Sequence, residues 1–160
     1  MGTTTSGYVV PAVQGPVWDM EPGRPTIFKL LSEQTGDSVA VFEEVVPVDG
    51  GTPLHIHHTS DELIYILVGE FTINIGEHVT TGDTGAWIFI PRGVAHAWKN
   101  SGDAAGRAFF IFTPAEGGKV FEELRLLQIP ITSIDPATFK QVCHRYGYET
   151  VGPGYLNLPT

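Results

Sequence analysis

Between residues 26 and 112 the chain never runs far without a turn residue, and that punctuation restricts it to short strands. Phe71, Ile73 and Ile75 alternate with Thr72 and Asn74, the period of two that sets one face of a strand against a core. Strands are predicted over residues 26–31, 39–46, 62–68, 71–75, 86–90, 95–99 and 108–112. The run 62–68 is rich in Ile, Leu, Val and Tyr and is expected to be buried on both faces. Gln34-Thr35-Gly36-Asp37, Gly69-Glu70, Gly76-Glu77 and Gly82-Asp83 read as the turns, and residues 49–53 as a loop. Short strands at this regular spacing point to an all-β fold, a closed antiparallel barrel or jelly roll. Closure removes the exposed edges that such strands would otherwise carry.

Outside that run the pattern changes. Residues 1–23 read as a loose arm with apolar anchors such as Val17 and Trp18. Met1-Gly2-Thr3-Thr4-Thr5-Ser6 matches the short myristoylation pattern, but a polar start is the preferred reading of so brief a motif. Val120, Phe121, Leu124 and Leu127 recur at helical spacing, as do Phe139, Val142, Cys143 and Tyr146. Asp135-Pro136 is a helix start and Gly147 a stop. Two C-terminal helices, over about residues 117–147, are therefore expected to pack on a barrel of about residues 24–115. The whole chain, 160 residues, fits one domain.

Composition excludes several functions. Nine basic against eighteen acidic residues give a net charge of −9, which argues against a nucleic-acid partner. No apolar run approaches a membrane span, and the N-terminus lacks the regions of a signal peptide. Cys143 is the lone cysteine, so no intrachain disulfide forms and a reducing, cytoplasmic setting is compatible.

The chemistry concentrates in four residues. His55-Ile56-His57 is followed after four residues by Glu62 and after six more by Gly69. Gly85 is followed after five residues by Pro91-Arg92-Gly93, then by His96 and Asn100. His55 and His57 share one face of a strand because side chains alternate. A turn brings Glu62 alongside, and a strand remote in sequence supplies His96. Three imidazoles and a carboxylate suit a divalent transition metal, among them Fe, Mn, Ni, Co, Cu or Zn, with positions left open for chemistry. His58 has the opposite parity and should face outward; His78 and His144 read as solvated and helical. Tyr65 is expected to pack on the far face.

These residues resemble the cupin superfamily, whose second motif is matched at every position from Gly85 to Asn100, and whose first is matched from His55 to Gly69. The first departs at its start: the family's glycine falls on Asp49, with Gly50 and Gly51 shifted. Phe121-Glu122-Glu123-Leu124 and the stretch from Arg145 to Pro153 are similar to the tail of single-domain quercetin 2,3-dioxygenase-like cupins, as is Asn100-Ser101-Gly102-Asp103. The resemblance implies an antiparallel double-stranded β-helix (a cupin jelly-roll barrel) and one metal ion per chain held by His55, His57, Glu62 and His96. It also implies a homodimer. The activity implied is a metal-dependent dioxygenase of a small enolic or aromatic, flavonol-like compound, with Glu62 as both ligand and catalytic base. A non-oxidative isomerase, cyclase or lyase of the same fold is the alternative, and a non-catalytic small-molecule binder a third reading. Ile64, Ile66, Phe71, Ile73, Trp98, Phe110 and Phe112 are the candidates to line a substrate pocket, with Phe121 and Leu124 closing its mouth.

Overall fold

The computed structural model describes residues 6–153. Residues 1–5, with most of the myristoylation-like pattern and the start of the expected arm, lie outside the described residues. Eleven strands occur among the described residues: β1 (Val17–Glu21), β2 (Arg24–Leu30), β3 (Ala40–Val46), β4 (His55–His57), β5 (Asp61–Val68), β6 (Glu70–Ile75), β7 (His78–Asp83), β8 (Trp87–Ile90), β9 (His96–Asn100), β10 (Gly106–Thr113) and β11 (Tyr148–Thr150). They form two antiparallel sheets, ordered β1-β2-β3-β10-β5-β8 and β11-β4-β9-β6-β7. The fold is all-β, with α1 (Glu116–Leu124) and α2 (Pro136–Arg145) packed after the last long strand.

The alternation seen in the sequence becomes the core. Phe28, Phe42, Phe110 and Phe112 point inward from the larger sheet and meet Phe71, Ile73 and Trp98 from the smaller one. A run of rings crosses the interior: Phe28 lies 5.7 Å from Phe42, Phe42 lies 5.4 Å from Phe110, and Phe110 lies 4.8 Å from Trp98, centroid to centroid. Such pairs contribute beyond the area they bury.

Several expectations change. Residues 17–21, read as part of a loose arm, form β1 and pair with β2; Trp18 and Met20 enter the core while Val17 stays exposed. The Trp18 indole N–H donates to the Ile129 carbonyl at 2.9 Å, so this strand also holds down the chain beyond α1. β5 is not buried on both faces. It alternates, with Glu62, Ile64 and Ile66 inside and Leu63, Tyr65 and Leu67 half-covered. Gly82 and Asp83 belong to β7, and the chain turns only after them. A short 3-10 turn at Ser32–Thr35 replaces the simple hairpin before β3, and Leu127 lies in another such turn beyond α1.

The departure at Asp49 has a physical resolution. Asp49 has φ +62°, a left-handed conformation that Asp tolerates better than most residues, so it performs the turn that a glycine would. Gly51 is where a side chain is forbidden: a Cβ there would lie 2.1 Å from the Trp98 carbonyl oxygen and 2.8 Å from the Lys99 Cα. The loop thus rests directly on β9, two residues beyond His96. Gly51→Ala should destabilise the protein by about 1–3 kcal/mol, because backbone rather than a movable side chain must give way. Urea unfolding of the two proteins checks this, and equal midpoints would contradict it.

Candidate metal centre

Register assembles the four candidate ligands. His55 pairs with His96 across β4 and β9. Glu62 pairs with Ile90 on one side and Phe112 on the other. All four residues are buried, and one donor atom of each lies within 4.8 Å of the others. The structure therefore brings together the four residues that the sequence singled out.

Hydrogen bonds fix two of the rings. His55 Nδ1 lies 2.8 Å from the Pro53 carbonyl oxygen and His96 Nδ1 lies 2.9 Å from that of Val94. A carbonyl only accepts, so each Nδ1 carries the proton and each Nε2 is left with a lone pair when the ring is neutral. His96 Nε2 then sits 2.8 Å from Glu62 Oε2, and His57 Nε2 sits 3.5 Å from the same oxygen. Lone pairs on neutral imidazoles and a carboxylate repel at such separations unless a proton or a cation lies among them. This donor set, converging and buried, fits a divalent transition metal. His57 differs in that its Nδ1 is buried with no hydrogen-bond partner. A Cβ on Gly117 would come within 3.1 Å of that nitrogen, so packing alone positions the ring there.

Electrostatics agree with the geometry. Burial, reinforced by the nearby His96, pushes His55 down to about 3. Burial and the other imidazoles likewise hold His57 well below its ordinary value. For His96, burial acts against the charged form, but the hydrogen bond and charge of Glu62 outweigh it and raise the pKa.

Around the ligands lies a small cavity of about 20 Å³, lined by Trp98, Phe110, Phe112 and Phe121 from the expected set. Ile64, Ile66, Phe71, Ile73 and Leu124 are instead buried in the general core and do not line it. Arg24, Phe42, Glu44 and Thr52 do line it, and none was anticipated. The parity of β3 carried the signal, since Glu44 falls on the same face as Phe42 and Val46. His58 is exposed and pairs with Glu149 at 2.7 Å, His78 and His144 are exposed, and Tyr65 stacks on Trp87 at 4.5 Å. A larger open groove of about 760 Å³ runs between α2 and β11, but it contains none of the four ligands.

Known proteins share this architecture. Residues 42–112 match the family model described as a cupin domain. Protein SchB of Streptomyces halstedii is 30% identical over 87 residues, which is 53% of this chain and 63% of SchB. The chain spans less than two thirds of the length of the curated relatives it matches. An RmlC-like cupin from Shewanella frigidimarina superposes with a TM-score of 0.60 at 18% identity, over 71% of this chain and 96% of that one. The polyketide cyclase RemF from Streptomyces resistomycificus superposes with a TM-score of 0.57 at 19% identity, over 68% and 80%. Residues 42–112, from within β3 to within β10, are the part of the chain that matches a cupin domain, and the two-sheet fold that contains them is a cupin jelly roll. No helix among the described residues is long and apolar enough to cross a membrane.

Two outcomes are expected. His55→Ala, His57→Ala and His96→Ala should each weaken metal binding by roughly tenfold or more, as loss of a ligand or its support does. His58→Ala and His78→Ala should leave metal content, measured by elemental analysis, unchanged. The second outcome concerns pH in chelator-treated protein. Folding holds His55 neutral where an unfolded chain would take up a proton near 6.5. Its contribution to stability is complete above about 6.5 and is lost as pH falls toward about 3. The His55 imidazole should accordingly show no protonation step by NMR above about pH 5. A titration near 6.5 would show that the ring is solvated.

Proposed function

We propose that this protein is a metal-dependent cupin enzyme, a dioxygenase acting on a small enolic or aromatic, flavonol-like compound. The observation that carries the reading is the donor set itself: three imidazole nitrogens and a carboxylate oxygen converge, buried, and His55, His57 and Glu62 among them line an aromatic-walled cavity. A divalent transition metal bound there supplies Lewis-acid and redox chemistry.

The chain's own residues do the rest. His55 and His96 are oriented by the carbonyls of Pro53 and Val94, which keeps their Nε2 atoms aimed inward. Glu62, whose Oε2 lies 2.8 Å from His96 Nε2 and 3.5 Å from His57 Nε2 and which lines the cavity, is the base that takes the proton of a substrate hydroxyl. Phe112 packs edge-on against His57, with ring centroids 5.0 Å apart, and Trp98, Phe110 and Phe121 complete a wall that keeps water from the reacting atoms. The same donor set serves a non-oxidative isomerase, cyclase or lyase through Lewis-acid chemistry alone, the second reading. A non-catalytic binder would use the cavity without turnover. We further propose a cytoplasmic homodimer. Trp87 and Phe89 are exposed on β8, an edge strand, and offer apolar surface for a second copy; light scattering is the check.

Oxygen uptake separates the readings. The metal-loaded protein should consume dioxygen when given a flavonol, and Glu62→Gln should lower turnover by roughly a hundredfold or more while keeping part of its metal. Equal loss of metal and turnover would reduce Glu62 to a ligand. Anaerobic conversion of such a compound without oxygen uptake would establish the isomerase, cyclase or lyase reading instead.

A further inference from the structure

The cavity wall contains a second buried charge pair that the ligand set does not use. Arg24 and Glu44 are 4% and 2% exposed, and both line the cavity that His55, His57 and Glu62 line. Their placement follows from register: Thr26 pairs with Glu44 across β2 and β3, and Arg24 lies two residues along the same inner face. The contacts are one-sided. Arg24 Nε and Nη2 donate to the same oxygen, Glu44 Oε2, at 3.0 and 2.9 Å. Arg24 Nη1 donates to the Gly51 carbonyl at 2.9 Å and to Glu21 at 3.3 Å. Glu44 Oε1 receives only the Thr26 hydroxyl at 3.4 Å.

A carboxylate oxygen this deeply buried, with one long hydrogen bond, is under-satisfied. Burial pushes the Glu44 carboxyl up from its ordinary range, the charge and hydrogen bonds of Arg24 pull against that shift, and the two donors on Oε2 lock the orientation of the group. Stability alone does not account for the pair, since apolar residues of similar volume commonly serve a core as well or better. The surroundings are aromatic. The Arg24 guanidinium lies 5.2 Å from the Trp98 ring centroid, and Phe42 and Phe110 flank the same space. An under-satisfied acceptor on a lining residue among flat, apolar walls suits a planar ligand oriented by one polar end.

We propose that Glu44, held by Arg24, is the specificity-determining residue of this cavity: its Oε1 accepts a hydrogen bond from a hydroxyl at the far end of a small planar aromatic ligand whose other oxygens face the His55, His57, Glu62 and His96 cluster. The proposal rests on the metal-dependent reading of that cluster. With about 20 Å³ enclosed, room for about one water, a ligand enters only as the rings part, and a small flat one asks for the least displacement.

The test uses cobalt(II)-loaded protein without oxygen, with binding read from the visible cobalt bands. The probes are catechol, hydroxyquinol, which adds a distal hydroxyl, and protocatechuate, which adds a distal carboxylate. Hydroxyquinol should bind about tenfold tighter than catechol, the effect of one hydrogen bond to a charged group, and protocatechuate weakest. The double variant Arg24→Met with Glu44→Met should keep the cobalt spectrum and lose the difference between hydroxyquinol and catechol. Glu44→Gln, which leaves the shape intact, should diminish it. Equal affinity of the wild type for catechol and hydroxyquinol would overturn the proposal, and this comparison needs no variant. So would tightest binding of protocatechuate, which would make Arg24 the recognising group, or a preference that survives the double substitution. Absence of the cobalt bands would instead refute the metal-dependent reading on which the proposal rests, before any probe is added.

Discussion

A single carboxylate oxygen, Glu62 Oε2, lies 2.8 Å from one imidazole nitrogen and 3.5 Å from another, and every residue involved is buried. Left without a proton or cation among them, these lone pairs repel, and a buried charge without a partner is costly. Only a rigid frame holds such a group together. Here the frame is strand register: β4 against β9 for His55 and His96, and β10 and β8 on either side of β5 for Glu62. A slip of one residue in any of these pairings would turn a donor to the opposite face. The strand topology, the loop resting on β9 at Gly51 and the packing of α1 against β10 all oppose that slip.

The interior separates its charges. Glu62, among imidazoles, and Glu44, bound to Arg24, both line the cavity together with Trp98 and the rings of Phe42, Phe110, Phe112 and Phe121. The neutral state of His55 and His57 is enforced by burial, so a cation would meet these two rings already free of the extra proton, whereas at His96 it would compete with one that Glu62 favours. Arg24 does for Glu44 what a cation would do for Glu62: it makes a buried carboxylate tolerable and fixes which of its oxygens remains available. A mostly apolar barrel with two polar loci is suited to holding a flat molecule by its two ends.

The four candidate ligands were legible in the sequence because histidine and glutamate at those spacings, on strands, leave few other readings. Seven of the strands, β2, β3, β5, β6, β8, β9 and β10, and both helices were legible too, through periods of two and of about four and through the Asp135-Pro136 start, whereas β7 and β11 were not. What escaped was whatever depends on pairing across the chain. β1 shows only two inward residues, Trp18 and Met20, between acidic neighbours, and it becomes a strand because β2 offers an edge. Arg24 and Glu44 look like ordinary surface charges until register places both inside. Ile64, Ile66 and Ile73 have the right parity for a pocket, yet they lie deeper in the core, where facing side chains fill the space. Asp49 looked like a departure from the glycine expected there, and its backbone makes the same left-handed turn.

The least legible part is how His57 is held. His55 and His96 each have a backbone carbonyl on Nδ1, written locally by the two residues before each histidine. His57 has none. Its ring is fixed by what touches it: Phe112 at 5.0 Å, Tyr148 at 5.3 Å edge-on, and the bare backbone of Gly117. Tyr148 also lies nearly parallel to His55, with centroids 4.8 Å apart and planes 17° apart. It belongs to β11, which adds to the edge of β4 with Tyr148 opposite His57. The tail beyond α2 is thus part of the support of the candidate metal centre, although it lies some ninety residues away in sequence. A motif that names the ligands states which atoms can meet a metal. The orientation of the His57 ring is decided by steric contact with β10, α1 and β11, and so by the completed fold.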